Sequence, residues 1–341
     1  MTRVLIAGVV AGVISILVGP RFIAFLRRRE FGQQIREEGP QHHAQKKGTP
    51  TAGGILIIVA ATLAFLLVSK YKITGLTVLF VTLSCGAIGF LDDYIKFTNQ
   101  RSLGLSGRWK LLLLAIVAAI TGYLAHKANL PHLTSVLIPG TGARIPLGYF
   151  WYVFVFLIIA GAANGVNLTD GIDGLAAGTA IISLFTFTSM AVIAFIRSSR
   201  TPELRSPSRL DLAIVGAALI GGAVGFLWYN ASPAEVFMGD TGAMALGGAL
   251  AGFAIVFKTE LLLLLVGGIY VLEALSVMIQ VFSFKYFGRR VFLIAPIHHH
   301  FEMKAWSDTK IMVRFWILAA IMCAAAFALY YRFYLDFRSL R

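Results

Sequence analysis

Side chains able to do chemistry recur at short intervals in the stretch Asn164-Gly-Val-Asn167-Leu-Thr-Asp170-Gly-Ile-Asp173-Gly174. Two amides and two carboxylates follow one another every third residue, a spacing that keeps them on neighbouring positions of a helix or tight turn. Gly165, Gly171 and Gly174 leave room for a ligand among them. Oxygen donors without Cys or His suit a hard cation such as Mg²⁺ and, through it, a phosphate. The alternative is a polar turn that solvates a membrane exit, for which Asn, Asp and Gly are equally suited.

Further candidates lie elsewhere in the chain. Asp92 and Asp93 close the apolar run Ala-Ile-Gly-Phe-Leu and precede Lys96. Two adjacent carboxylates at a membrane boundary repel each other, so Mg²⁺, Lys96 or both should compensate them; a solvated helix end is the alternative. Phe237-Met-Gly-Asp240-Thr-Gly242 opens a small-residue helix that Asp240 or Thr241 is placed to cap, and its glycines permit a ligand to approach the backbone. Asn230 begins the connection leading to it. In His298-His299-His300 consecutive side chains diverge, unlike the i, i+4 pairs of helical zinc sites, so imidazoles donating to phosphate or sugar oxygens are the better reading. Glu273 and Gln280 fall inside an apolar run, where a polar group is either functional or bonded to a neighbouring helix. Lys46, Lys47 and Thr51 form a basic, hydroxyl-bearing turn suited to an anionic group or, alternatively, to membrane anchoring.

These residues must be positioned by membrane helices. The 341-residue chain is 58% hydrophobic and 13% charged, far more apolar than a soluble domain of that length. An all-α, polytopic integral membrane protein in a single domain, residues 1–341, is expected. Apolar runs of about 20 residues, each enough to cross a bilayer, are predicted near Val4–Leu26, Thr51–Val68, Thr74–Leu91, Lys110–Ala125, Tyr149–Ala163, Leu175–Ile196, Asp211–Tyr229, Thr241–Phe257, Leu261–Phe284 and Ile311–Tyr334. They are continuously apolar, without the alternation of membrane strands. The first reads as a retained helix, since no small-residue cleavage site follows it.

Ten spans make every loop after an odd-numbered span share one side of the membrane, and the segments singled out above fall there, apart from Glu273 and Gln280 inside the ninth span. The Lys and Arg excess places that side in the cytoplasm and both termini outside, although Arg197, Arg200, Arg205 and Arg209 after span six run against the rule. Cys85 and Cys323 lie inside apolar spans and support neither a disulfide framework nor a zinc site. The formal charge of +14 suits anionic headgroups and phosphorylated substrates rather than nucleic acid.

The Gly-Thr-Pro-Thr-Ala-Gly-Gly turn, Asp92-Asp93, Asn164 to Gly174, Phe237-Met-Gly-Asp240 and Pro296-Ile-His-His-His-Phe-Glu together resemble the bacterial phospho-N-acetylmuramoyl-pentapeptide transferases, of the polyprenyl-phosphate N-acetylhexosamine 1-phosphate transferase superfamily. The likeness covers nearly the whole chain, and Ala52 departs from the Met of many relatives. It implies transfer of phospho-MurNAc-pentapeptide from its UDP donor to undecaprenyl phosphate at the inner face of the bacterial cytoplasmic membrane, giving lipid I and UMP. The triple His with Phe-Glu points to this branch over one using UDP-GlcNAc. Carried over, the resemblance implies Mg²⁺ as cofactor with Asp240 as its ligand, and Asp92 and Asp93 as a catalytic pair with Asp240. Asn167, Asp170, Asp173, Phe237 and Lys46 become nucleotide-side contacts, with Thr51, Asn230, Gln280, His298, His299 and His300 completing the substrate-binding set. A homodimer and a broken ninth helix are implied too, Gly267-Gly268 offering a place for the break. A proton- or anion-coupled transporter is the rival from another class; transporters place such carboxylates near mid-bilayer in related halves, whereas these cluster at span ends without an internal repeat.

Overall fold

A computed structural model describes residues 1–29, 48–99 and 103–334; Lys46 and Lys47 lie outside the described residues. The helices are α1 (Thr2–Arg28), α2 (Gly54–Val68), α3 (Ile73–Thr98), α4 (Gly107–Lys127), α5 (Phe150–Thr169), α6 (Leu175–Ile196), α7 (Pro207–Asn230), α8 (Gly239–Phe257), α9 (Leu263–Val266), α10 (Gly268–Phe287), α11 (Ile297–Glu302) and α12 (Asp308–Phe333). A small antiparallel hairpin, β1 (Ser135–Leu137) with β2 (Arg144–Pro146), joins α4 to α5. Among the described residues nine helices are long and apolar enough to cross a membrane, and α2, at 15 residues, is the tenth apolar helix. The protein is thus an all-α, multi-pass membrane protein, as the sequence anticipates.

Three departures from the expected spans bear on the site. First, α3 runs past Leu91 to Thr98, so Asp92 and Asp93 sit within a helix rather than after one, and Lys96 falls one turn beyond Asp92 on the same face. Second, α2 starts at Gly54, because the backbone before it pairs with another chain segment: Gly53 N–H donates to Phe237 O (2.8 Å), Gly54 N–H to Met238 O (3.0 Å) and Phe237 N–H to Pro50 O (2.8 Å). Third, the ninth span is divided at Gly267 into the four-residue α9 and the 20-residue α10. The glycine pair marked in the sequence is where the helix is interrupted.

Small residues set the helix spacing. A Cβ on Gly89 of α3 would lie 2.2 Å from Asp240 O, and one on Gly54 would lie 2.1 Å from Gly242 Cα. These glycines bring the backbones of α2 and α3 against the first turn of α8, where dispersion contacts substitute for a hydrophobic force that lipid cannot supply. Helix α8 is accordingly the buried centre of the bundle, with Met244, Leu246, Leu250 and Phe253 wholly enclosed.

The connections alternate between the two ends, as the span count requires. At one end meet the segments following α1, α3, α5, α7 and α10. At the other, Asp211 of α7 accepts hydrogen bonds from the Lys70 and Lys72 N–H groups (2.8 and 2.7 Å) in the α2–α3 turn, and Lys258 Nζ donates to Leu133 O (2.7 Å) beside the hairpin.

Candidate active site

The site is built around the N-terminus of α8. The sequence suggests that Asp240 or Thr241 caps this helix; in the structure neither does. Asp93, reaching across from α3, takes that place. Its Oδ1 accepts from Asp240 N–H (3.1 Å), and its Oδ2 accepts from Thr241 N–H (3.0 Å) and the Thr241 hydroxyl (2.7 Å). A carboxylate there satisfies orphan backbone donors and meets the positive end of the helix dipole. Gly239 just before it has a positive φ of 71°, and a Cβ there would sit 2.8 Å from both Asp93 Oδ2 and Thr51 Oγ1. Thr51 is therefore at the site's edge.

With Asp93 engaged, the Asp240 side chain is left to face the open end of the bundle. Lys96 Nζ bridges Asp92 Oδ2 (2.6 Å) and Asp240 Oδ2 (3.0 Å), Lys110 Nζ approaches the same Asp240 oxygen (3.4 Å), and Asn167 Nδ2 donates to Asp240 Oδ1 (2.7 Å). The other oxygen of Asp92 accepts from Leu105 N–H (2.9 Å). Lys110 was missed in the sequence as a site residue. It opens an apolar span, where a lysine reads as an ordinary interfacial anchor.

Of the four side chains at three-residue spacing, three face the segment 234–240. Asn167 meets Asp240 as above, Asp170 accepts a hydrogen bond from the backbone of Gly239, and Asp173 Oδ2 accepts from Ala234 N–H (3.2 Å). Asn164 does not join them, because its amide turns back to Ala160 O (2.8 Å) within α5. Asn230 links the two loops, accepting from Gly174 N–H (3.1 Å) and donating to Val236 O (3.0 Å). A pocket opens between them, lined by Asp170, Gly171, Ile172, Asp173, Asn230 and Phe237.

The three histidines of α11 diverge. His298 is fully buried beside Glu273 and Gly171, His299 contacts Glu302, and His300 Nδ1 accepts from Leu293 N–H (3.1 Å). Gln280 does not open toward the pocket: its Nε2 donates to Phe292 O (2.9 Å), and its Oε1 accepts from Val291 and Phe292 N–H (3.0 and 2.9 Å). It clamps the loop that carries the histidines.

The donor set suits a hard divalent cation. Asp92, Asp170 and Asp240 bring carboxylate oxygens to this end of the bundle, with Lys96 and Lys110 balancing part of their charge; Asp170 is pushed up to about 7, by burial first and then by repulsion from Asp240 and Asp93. Among the described residues no three His, Cys, Asp or Glu side chains form a ready-made cage.

Comparison with known proteins decides the family. Residues 75–258 match the model of glycosyl transferase family 4, more than half of the chain. A phospho-N-acetylmuramoyl-pentapeptide-transferase of Desulfitobacterium hafniense is 45% identical over 324 residues, covering 94% of this chain and 95% of its own. Proteins of the same name from Frankia alni and Bacillus pumilus are 46% and 43% identical, covering 98% and 94% of this chain and 99% and 96% of their own. The chain belongs to the phospho-N-acetylmuramoyl-pentapeptide-transferase family. The glycosyl transferase match takes in Asp92, Asp93, Lys96, Lys110, Asn167, Asp170, Asp173, Asn230, Phe237 and Asp240, the residues assembled around α8. Thr51, Gln280 and the three histidines lie outside it, within the longer stretch shared with the transferases.

Proposed function

We propose that this protein transfers phospho-MurNAc-pentapeptide from UDP-MurNAc-pentapeptide to undecaprenyl phosphate, forming lipid I and UMP, with Mg²⁺ as cofactor and the site facing the cytoplasm of the bacterial inner membrane. The observation that carries the reading is the adjacency of two dissimilar regions at one end of a membrane bundle. One holds Asp92, Asp240, Lys96 and Lys110, groups for metal and phosphate; the other is the Asp170 to Phe237 pocket, with an aromatic wall and amide and carboxylate groups suited to a nucleoside. A soluble donor and a membrane-dissolved acceptor can meet only at such a boundary.

In the favoured route an oxygen of the lipid phosphate forms a bond to the sugar-linked phosphorus. The bond from that phosphorus to the bridging oxygen breaks, and the bridging oxygen leaves with its electron pair on UMP. A phosphate monoester has a second pKa of about 6, so at neutral pH the acceptor is largely ionised and needs little help from a base. The engagement of both Asp93 oxygens in capping α8 supports this one-step route over one with Asp93 as nucleophile. Asp240 and Asn167 would hold Mg²⁺, which when bound would neutralise charge on the pyrophosphate. Lys96 and Lys110, already at Asp240, provide fixed positive charge for the oxygens flanking the reacting phosphorus. A homodimer is part of the same proposal, on the family resemblance alone.

The deciding experiment supplies purified protein with Mg²⁺, undecaprenyl phosphate and either UDP-MurNAc-pentapeptide or UDP-GlcNAc. UMP and a lipid-linked product are expected from the first donor. Product from UDP-GlcNAc alone would move the protein to the neighbouring branch, and no product from either would reject the reading.

A further inference from the structure

The pair Glu273 and His298 is not used by the mechanism above, although both side chains are 0% exposed. Glu273 projects from α10, and its Oε1 lies 3.1 Å from His298 Nδ1 on α11. Neither carboxylate oxygen and neither ring nitrogen has a hydrogen-bond partner among the described residues, so the 3.1 Å approach is a close polar contact without hydrogen-bond alignment. An enclosed carboxylate with a single polar neighbour is costly unless that neighbour supplies a proton or a charge. The two side chains are therefore dependent on each other for position.

The far edge of the ring presses on the pocket loop. A Cβ on Gly171 would lie 2.3 Å from His298 Nε2, so the imidazole fills the space that any larger residue at 171 would need. Gly171 stands between Asp170 and Ile172, all three lining the pocket. Because Nε2 is enclosed behind this glycine, it does not present itself to the pocket as a ligand does.

We infer that Glu273 is a positioning residue for donor binding: it holds the His298 ring through Nδ1, and the ring buttresses Gly171 so that the Asp170 to Asp173 turn keeps its shape. This deepens the proposed function, since it takes the pocket to be the nucleotide side of the transfer site. It also gives α10, the longer half of a broken helix, a direct hold on the donor loop through one carboxylate–imidazole contact.

The test combines kinetics with hydrogen exchange on the full-length protein in detergent. Glu273→Gln and His298→Asn should each raise KM for UDP-MurNAc-pentapeptide, by roughly two- to 150-fold, the range for contacting residues, with KM for undecaprenyl phosphate unchanged. The double variant should be no worse than the more impaired single one, and Gly171→Ala should reproduce the same donor-specific defect. Amide exchange in residues 168–174 should quicken equally in both single variants and no further in the double. Unchanged exchange there, additive effects, or a loss shared equally between the two substrates would overturn the inference. Should the wild-type protein fail to use the donor, the functional reading falls, and the exchange experiment still decides whether the pair supports the loop.

Discussion

Replacing Asp93 by Asn separates a carboxylate that attacks phosphorus from one that holds a helix in place. Three donors converge on Asp93: the Asp240 N–H on one oxygen, and the Thr241 N–H and hydroxyl on the other. An amide keeps one acceptor oxygen and turns an NH₂ group toward backbone N–H donors, so at least one buried donor loses its partner. Hydrogen bonds to a charged acceptor contribute about 1.5–3 kcal/mol each, and the attraction between a carboxylate and a helix N-terminus adds about 0.3–1 kcal/mol. The expected loss of stability is therefore about 2–4 kcal/mol, visible as a thermal midpoint in detergent several degrees below the wild type. Thr241→Val, which removes only the hydroxyl donor, should cost about 1.5–3 kcal/mol and leave the Asp240 carboxylate in place. Activity of Asp93→Asn should fall because Asp240 is carried by the same turn of α8. A wild-type melting profile with all transfer lost, together with a phosphosugar trapped on Asp93 without lipid acceptor, would refute the argument and replace it with a two-step mechanism.

Further outcomes follow from the same geometry. Asp240→Asn should raise the Mg²⁺ concentration needed for half-maximal turnover at least about tenfold; an unchanged requirement at near-normal rate would remove Asp240 as the metal ligand. Asp170, pushed up to about 7, is neutral below that pH and ionised above it, so the site gains negative charge as pH rises. The half-saturating Mg²⁺ concentration should therefore fall between about pH 6 and pH 8, and Asp170→Asn should flatten that dependence in a metal titration of turnover. For orientation, single cysteines at Asn99 and Ser307 should react only with membrane-permeant thiol reagents in intact cells, while one at Ser199 should react from outside; labelling of the first two by an impermeant reagent would reverse the assigned sides.

Much of the architecture was legible in the sequence because a membrane helix must satisfy its backbone internally and face lipid with apolar side chains, which leaves long, countable runs. The count of ten then placed Thr51, Asp92, Asn167, Asn230, Asp240 and the histidines at one end without any tertiary information. Gly267-Gly268 could likewise be marked as the weak point of the ninth span, since two residues without Cβ are the least costly place to interrupt a helix. What each polar group does was settled by partners distant in the chain. Nothing near Asp93 in sequence shows that its acceptors meet the backbone of Asp240 and Thr241, and nothing near Lys110 shows that its ammonium meets Asp240. Gln280 and Asn164 have the polarity of binding residues, yet their amides are taken up by the loop at 291–292 and by Ala160. A side chain's hydrogen-bonding capacity is a property of its type, whereas how much of that capacity remains for a ligand depends on which backbone donors and acceptors the packed helices bring within about 3 Å of it.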